Sequence, residues 1–266
     1  MRTFIVDSFT DTAFKGNPAG VCLVERPLSD ERMLDIAREL NLSETAFLRS
    51  LSRPDSFSIR FFSPKKEIPL CGHATLASAK VVSELYRIGH VTFVNIQNIS
   101  LGTSVSDGEI TMTFPLYDTR PAEAPPELLS ALGIESIENA VYNQETNILL
   151  LEIADPEELI DLSPDFEALY RSHESIDGVL VTAAGKGEYD FYSRYFWPWA
   201  GTNEDPVTGG THTFLAPYWS KKLGKKEMRS FQCSRRSGFM EVAITEAGLR
   251  IKSQAVVILE GELRVE

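Results

Sequence analysis

The stretch from Glu67 to Val82 reads EIPLCGHATLASAKVV and contains a tight corner followed by a long apolar run. The strand-like run RFFS comes before it, so residues 70–73 are predicted to turn the chain from a strand into a helix. The run that follows is apolar on nearly all of its faces, which is typical of a helix that is enclosed on every side. This stretch therefore predicts a sheet wrapped around a central helix.

The same corner occurs a second time. The motif Glu67-x-Pro69-Leu70-Cys71-Gly72 is matched by Glu204-x-Pro206-Val207-Thr208-Gly209, and an aromatic strand containing an arginine leads into each. Other elements also recur in the same order, including helices that we expect to be capped by Ser29 in the first copy and Ser163 in the second. A period this long indicates two similar domains rather than a solenoid.

The proline-rich segment PLYDTRPAEAPP, residues 115–126, separates the two copies. We therefore predict an α+β fold with two pseudo-symmetric halves, 1–117 and 118–266, each a β-sheet rolled around a central helix. The final strand is predicted over Ala255 to Val265, either within the second half or crossing back to the first.

The composition restricts the possible partners. The 266 residues are 43% hydrophobic, with a formal net charge of -12 and a pI of about 4.9. A chain this acidic is a poor partner for nucleic acid or an anionic membrane, and no apolar run reaches the roughly 20 residues of a membrane span. The unpaired set Cys22, Cys71 and Cys233, without a signal peptide, favours a reducing, cytoplasmic location.

Several classes of site lack their motifs. The four histidines have no metal-ligand spacing with cysteines or carboxylates, so the sequence predicts no metal site. The glycine-rich loops that hold dinucleotides or nucleotide phosphates and the nucleophile elbow of α/β-hydrolases are also missing.

The two corners suggest an anion site. A helix start carries free N–H groups and partial positive charge, and glycine allows a ligand to approach the backbone closely. Gly72 stands at the first corner, and Gly209 and Gly210 stand at the second. A small carboxylate suits such a site, although both corners can equally be tight turns in which glycine serves only the geometry.

Three side chains are candidates for acid–base chemistry. Glu44 opens a strand among apolar residues, which suits a general acid/base, but it also fits a surface glutamate at a strand end. His73 suits a proton relay or a carboxylate contact, but it also fits a core histidine bonded to the backbone. Asp205 suits either a helix cap or a substrate contact.

Cys71 raises a separate possibility. A thiolate at a helix start has a lowered pKa and can act as a base. A racemase with two thiols needs a second cysteine at the equivalent place, which Thr208 occupies. We therefore disfavour the two-cysteine mechanism and expect Cys71 to be a small packed residue.

These motifs resemble the phenazine-biosynthesis PhzF-like family along nearly the whole chain, and especially its animal branch. The matching stretches are FKGNPAGVCLVE, LNLSETAF, EIPLCGHATLASA, DFYSRYFWPW, EDPVTGGTH and AVVILEGEL. The resemblance implies a diaminopimelate epimerase-like fold with the active site between its halves. It also implies an isomerase that needs no cofactor and is commonly a homodimer.

The resemblance also implies roles for particular residues. The glutamate of SETAF is Glu44, which takes the role of general acid/base. Gly72 and His73 of CGHAT contact the substrate, as does Asp205 of EDPVTG, while Gly209 offers its backbone N–H.

The chain departs from the family at the second corner. The family pattern DPxTGSAH has a serine where this chain has Gly210, with Thr211 beside it. One hydroxyl that faces the substrate is therefore missing, which weakens the expectation of the phenazine substrate itself.

Three functions follow. The first is a proton-shifting isomerase that acts on a small carboxylic acid through Glu44. The second is a dehydratase or epimerase that acts on a hydroxyproline-like amino acid, with Cys71 opposite Thr208. The third is a protein-interaction module without catalysis, for which the glycine at position 210 is the only sequence support.

Overall fold

The computed structural model describes residues 1–264, which form two compact units. The first unit comprises Met1–Thr113 together with the segment from Arg250 onward, and the second comprises Phe114–Leu249. In the part of the chain that the structure describes, no helix combines the length and apolar character that crossing a membrane requires.

The first unit is mostly strands. In chain order it contains β1 Arg2–Ser8, β2 Asn17–Leu23, α1 Asp30–Leu40, β3 Glu44–Ser50, β4 Ser56–Phe62, β5 Glu67–Ile68, α2 Gly72–Tyr86, β6 His90–Val94, β7 Ser100–Ser106 and β8 Glu109–Phe114.

The second unit has more helices. In chain order it contains β9 Arg120–Pro121, α3 Pro126–Leu132, β10 Asn139–Asn143, β11 Ile148–Glu152, α4 Pro156–Asp161, α5 Phe166–Arg171, β12 Gly178–Ala184, β13 Phe191–Trp197, β14 Thr202–Asp205, α6 His212–Leu223, β15 Glu227–Gln232 and β16 Gly238–Thr245. The long strand β17, Gly248–Glu262, follows and pairs with β1. The predicted end of this strand, Val265, lies outside the described residues.

The strands of the first unit close into a barrel. Around the ring, β1 pairs with β2, β2 with β3, β3 with β4, β4 with β6, β6 with β7 and β7 with β8. β17 pairs with both β8 and β1, which completes the ring. Helix α2 packs against β1, β2, β3, β6 and β7, and its side chains are buried along most of its length. The predicted sheet around a central helix is confirmed.

The second unit repeats the pairing pattern of the first. The parallel pair β2–β3 corresponds to β11–β12, and the antiparallel pair β3–β4 corresponds to β12–β13. The parallel pair β4–β6 likewise corresponds to β13–β15. Helix α6 takes the place of α2 and buries Phe214 and Trp219, whose ring stacks on Phe191. The repeated order of elements in the sequence is therefore also a repeat of strand pairing.

Local signals explain some helix ends better than others. Ser29 caps α1 by accepting a hydrogen bond from the backbone N–H of Arg32, and Asn41 ends that helix in a left-handed conformation. In the second unit the predicted cap at Ser163 is wrong. Asp165 caps α5 instead, because it caps as well as serine does and stands directly before the first helical residue, Phe166.

Candidate active site

Glu44 is the first residue of β3, where that strand pairs with Ala19 of the parallel strand β2. The next residues, Thr45 and Ala46, are fully buried, so the strand is firmly anchored beside the barrel interior. The Glu44 side chain is itself only 13% exposed. A carboxylate in this position is largely shielded from water, which strengthens its interactions with neighbouring polar groups.

The first corner is held by two side chains that lie outside it. Arg60 of β4 forms a bidentate ion pair with Glu67, with nitrogen–oxygen distances of 2.7 and 2.6 Å. The side-chain amide of Asn95, just after β6, donates to the backbone oxygen of Pro69 at 2.8 Å. These contacts fix the approach to Cys71, whose extended backbone forms the N-cap of α2.

The corner brings Cys71 and His73 to Glu44. His73 Nε2 lies 3.1 Å from Glu44 Oε2, and the Cys71 thiol lies 3.8 Å from the same oxygen. Cys71 Sγ is also 3.5 Å from Nδ1 of His73 and 3.9 Å from its Nε2. Ser8 of β1 donates its hydroxyl to the backbone oxygen of His73 at 2.8 Å, which fixes the first turn of α2. We call these three side chains the Glu44–Cys71–His73 cluster.

Charge in the cluster is unevenly distributed. Burial lowers the pKa of His73, but the facing Cys71 and Glu44 groups outweigh it and hold that pKa well above the ordinary value. Burial raises the pKa of the Cys71 thiol, which therefore stays protonated at neutral pH. The raised pKa of His73 favours its imidazolium form, whose Nε2 faces the Glu44 side chain. Such a pair can exchange a proton with a bound molecule.

The start of α2 also suits an anion. Cys71 provides no side-chain cap, so the first N–H groups of α2 are not used by the N-cap side chain. The positive end of the helix dipole and the His73 imidazolium act in the same direction. A carboxylate therefore matches this corner in both charge and hydrogen bonding.

The three side chains of the cluster are also possible metal ligands. One ligand atom from each of Glu44, Cys71 and His73 lies within 4.8 Å of the others. Sequence spacing predicted no metal site, because Glu44 is far from the other two in the chain and only the fold brings it to them.

The second corner has a matching frame but different chemistry. Arg194 of β13 forms a bidentate ion pair with Glu204 at 2.7 and 3.0 Å, as Arg60 does with Glu67. Within the corner, the hydroxyl of Thr208 donates to the Asp205 carboxylate. Asp205 is therefore placed by its own turn.

Gln232 closes the second corner from the end of β15. Its amide nitrogen donates to the backbone oxygen of Asp205 at 2.7 Å, and its amide oxygen accepts from the N–H of Thr208 at 2.9 Å. The hydroxyl of Ser234 donates to the backbone oxygen of Pro206, the counterpart of the Asn95 contact with Pro69. Sequence reasoning missed these residues. The signal that was available is that each lies at or just after the end of the strand that follows a predicted corner helix.

The glycines of the second corner lie in a turn just before the helix. Backbone bonds from His212 N to Gly209 O and from Thr213 N to Gly210 O form a tight turn, and α6 begins at His212. A Cβ added at Gly210 would meet no heavy atom within 4 Å. The Thr211 hydroxyl donates to the backbone oxygen of Thr208 at 3.0 Å, so it does not replace the missing serine hydroxyl.

His212 is a core histidine. Its ring nitrogens lie 3.1 Å from the Thr208 backbone oxygen and 2.9 Å from the Ser230 hydroxyl, and burial lowers its pKa to about 4. The imidazole is therefore neutral at physiological pH, unlike that of His73, and its role is to pack α6 against β15.

A surface depression on the first unit adjoins the frame of the first corner, because Arg60 and Asn95 are among its lining residues. Its lining includes Val24, Leu28, Phe47 and Arg49, and none of the three cluster residues contributes to it. Its walls are mainly apolar and lack paired acid and base groups. The chemistry of the molecule therefore points to the corner and not to this depression.

Known proteins match the chain over nearly its full length. The family model described as phenazine biosynthesis-like protein, PhzC-PhzF, matches residues 6–261. The phenazine biosynthesis-like domain-containing protein 2 of Mus musculus is 44% identical over 282 residues, which cover 98% of each chain. An uncharacterized isomerase of Halalkalibacterium halodurans is 40% identical, over 98% of this chain and 97% of its own.

A solved structure supports the same assignment. The phenazine biosynthesis protein of the PhzF family from Enterococcus faecalis superimposes with a TM-score of 0.92 at 36% identity, and 99% of each chain is covered. The predicted resemblance and the α+β fold class are thereby confirmed. The chain belongs to the phenazine biosynthesis-like PhzC-PhzF family.

Proposed function

We propose that the protein is an isomerase that moves a proton on a small carboxylic acid, without a metal or other cofactor, using Glu44 as general acid/base. The observation that carries the proposal is the enclosed contact of 3.1 Å between Glu44 Oε2 and His73 Nε2 at a helix start without a side-chain cap. The isomerase name of the Halalkalibacterium halodurans relative supports the same class of reaction.

The proposed reaction needs one group that both takes and returns a proton. Glu44 removes a proton from a substrate carbon, and the electron pair left on that carbon spreads into the adjacent unsaturated acid. The acidic proton of the protonated Glu44 exchanges with solvent, and Glu44 then delivers one proton to a different carbon, so the sum of atoms is unchanged. Acid–base groups of this kind contribute about 10²–10⁴-fold to a rate.

His73 and the start of α2 have supporting roles in this proposal. The imidazolium stabilises the charged form of Glu44 and the negative charge that develops on the substrate. The N–H groups that begin at Gly72 hold the substrate carboxylate. These contacts place the reacting carbon beside Glu44, and orientation of this kind is itself a large part of catalysis.

The family resemblance is the reason for including the second corner in the proposed substrate site. We propose that Asp205, Gly209 and Gly210 contact the same substrate. Thr208 and Thr211 act as positioning residues in this proposal, because their hydroxyls are donated within the corner itself. The open space at Gly210 leaves room for a substrate group that a serine would displace.

The hydroxyproline hypothesis has less support. It requires the Cys71 thiolate, and burial raises the pKa of this thiol, so its protonated form dominates. It also places Thr208 opposite Cys71, and the Thr208 hydroxyl is already donated to Asp205. The hypothesis of a module without catalysis does not explain why an acid and a base are enclosed together.

We also propose a cytoplasmic homodimer, as the family resemblance implies. Light scattering on the purified protein measures its mass directly. A mass near twice the 29.7 kDa of one chain supports the dimer, and the mass of a single chain rejects it.

The experiment for the proposed reaction is a substrate screen with matched variants. Amino acids, hydroxyprolines and dihydroxyanthranilate-like acids are incubated with wild type, and isomer formation is followed by chromatography and mass spectrometry. Glu44→Gln should lower any turnover about 10²–10⁴-fold. Glu39→Gln, an exposed change on α1, should leave it unchanged. Turnover that survives in Glu44→Gln would reject the proposed role.

A further inference from the structure

We infer that the Tyr195 hydroxyl is a further contact to the substrate and donates a hydrogen bond to one of its oxygens at the second corner. The position of this hydroxyl follows from the packing of the second unit alone. Its contribution to catalysis rests on the proposed function.

Gly178 is the counterpart of Glu44 in the second unit. Glu44 opens β3 and Gly178 opens β12, and each is the first residue of its strand to pair with the parallel strand before it. The arginine that frames each corner supports the correspondence, because Arg60 and Arg194 lie opposite residues three positions after these starts. The second unit therefore has no side chain at the place from which the first unit supplies its acid.

The phenol of Tyr195 fills the space beside Gly178. A Cβ added at Gly178 would lie 2.6 Å from Tyr195 Oη and 2.5 Å from its Cε2, closer than Cβ atoms approach other atoms in proteins. The equivalent position of β4 is Phe61, which has no hydroxyl. The polar group beside the corner thus comes from β3 in the first unit and from β13 in the second.

The Tyr195 side chain is directed toward the second corner. In the antiparallel pair β13–β14 it lies directly opposite Asp205, so the two side chains share one face of the sheet. Phe191 lies on the same face, because side chains alternate along a strand, and its ring stacks on Trp219 of α6. The phenol is therefore on the side of the sheet that α6 covers, next to the carboxylate that begins the corner.

The Tyr195 hydroxyl is an unused donor. The residue is only 4% exposed, and within residues 1–264 its hydroxyl forms no hydrogen bond, while the neighbouring Asp205 accepts from Thr208. Burial raises the pKa of this phenol, and the charges of Asp205 and Asp177 raise it further, so the proton stays in place at neutral pH. A buried donor without a partner is costly, and an oxygen of a bound acid removes that cost.

The hydroxyl acts in the proposed reaction as a donor and not as an acid. It stabilises a substrate oxygen on which negative charge develops. Because it keeps its proton, Glu44 remains the group that transfers one. Loss of the hydroxyl therefore weakens binding and slows turnover but does not remove the proton transfer.

The test replaces two tyrosines of the same strand, one on each face. Tyr195→Phe removes only the hydroxyl and leaves a ring of the kind that Phe61 provides in the first unit. Tyr192→Phe is the matched control, because its hydroxyl donates to the backbone oxygen of Lys186 at 3.3 Å on the exposed side. The probe is 3-hydroxybenzoate, an aromatic acid with oxygens of two kinds, and its binding is measured by calorimetry.

Nuclear magnetic resonance observes the contact directly. In protein labelled with ¹³C at tyrosine Cζ, the Tyr195 signal is the one that Tyr195→Phe lacks. Saturating 3-hydroxybenzoate should shift this signal in wild type. Tyr195→Phe should weaken binding of the probe about tenfold and lower kcat/KM on any isomerised acid by a similar factor. Its urea unfolding should match wild type, and Tyr192→Phe should bind and react as wild type does.

The possible failures are distinguishable. A Tyr195 signal that does not move with the probe, or unchanged probe binding in Tyr195→Phe, overturns the contact whatever the enzyme does. Weakened probe binding with unchanged kcat/KM overturns its part in catalysis. A normal shift and weakened binding in Tyr195→Phe, with no isomerase activity of wild type on any acid, count against the proposed function and leave the contact supported.

Discussion

The carboxylate of Glu44 faces an imidazole, whereas those of Glu67 and Glu204 face guanidinium groups. A guanidinium does not lose its proton in proteins, so a pair with arginine can only hold structure. An imidazole gains and loses a proton near neutral pH. The identity of the cation therefore separates the pair that can do chemistry from the two that frame the corners.

His212 gives the residue-scale prediction for pH. The ordinary pKa of 6.5 applies to the unfolded chain, and burial lowers the folded value to about 4. Below pH 6.5 the unfolded chain binds a proton that the folded chain refuses, so stability falls as the pH is lowered. The loss is complete near pH 4 and amounts to about 3 kcal/mol.

The measurement is the free energy of urea unfolding at several pH values between 7 and 4. Wild type should lose stability more steeply than His212→Asn, because the variant lacks this group. Identical pH slopes in the two proteins would contradict the account.

Gly20 gives a packing prediction close to the site. A Cβ at this position would lie 2.9 Å from Thr45 Oγ1, directly beside Glu44, and 3.2 Å from Leu40 Cδ1. Gly20→Ala should therefore destabilise the protein by about 1–3 kcal/mol in urea unfolding.

The matched control is Gly102→Ala in β7. A Cβ there meets no heavy atom within 4 Å, so the change should be neutral or slightly stabilising. Equal effects of the two substitutions would show that the contact with Thr45 does not limit this position.

At the scale of elements, each corner is joined to its sheet by an arginine. Arg194 is the more enclosed of the two, with a side chain 9% exposed against 25% for Arg60. Arg194 Nη1 also donates to backbone oxygens of Leu159, Ile160 and Leu162, at 3.3, 3.2 and 2.7 Å. One guanidinium thus connects β13, β14 and the residues around the end of α4.

Replacing each arginine by lysine tests this difference. A lysine cannot match the fork of nitrogens, so Arg194→Lys leaves the partly buried Glu204 underpaired. The expected loss is about 1–3 kcal/mol in urea unfolding, from acceptors that the lysine leaves unsatisfied. Arg60→Lys should cost clearly less, since its pair is more hydrated. The reverse ranking would contradict the framing role assigned to Arg194.

The helix ends show which boundaries can be predicted from local sequence and which cannot. The cap at Ser29 was predicted because it uses its own backbone neighbourhood, as the left-handed end at Asn41 also does. The first residue of α6 was not predicted, because the residues from Gly209 to Thr211 form their own tight turn before the helix. Whether these residues form a separate turn or the first turn of the helix depends on tertiary packing. The pattern of residue types carries no information about that packing.

At the scale of the whole molecule, the repeat made the fold predictable. Two copies of the corner indicated a sheet around a helix, and the first unit has that form, with α2 enclosed by its barrel. The residue types of the candidate site were also visible, because Glu44 and His73 stand in recognisable motifs.

The contacts between site residues were not predictable from the chain. Glu44 and His73 meet only because β3 and the start of α2 lie side by side in the folded barrel. Gln232 and Asn95 act on corners far from them in sequence, and an isolated amide residue has no pattern that reveals its partner. Long-range pairing is therefore what the structure adds to the sequence analysis.

The most direct test of the account is proton exchange with solvent. Wild type, Glu44→Gln and Cys71→Ser are incubated with the acid panel in heavy water, and deuterium on substrate carbon is measured by mass spectrometry. The account predicts label with wild type, label within about tenfold of wild type with Cys71→Ser, and a 10²–10⁴-fold slower rate with Glu44→Gln. Label that persists in Glu44→Gln and disappears in Cys71→Ser would contradict it and assign the chemistry to the thiol.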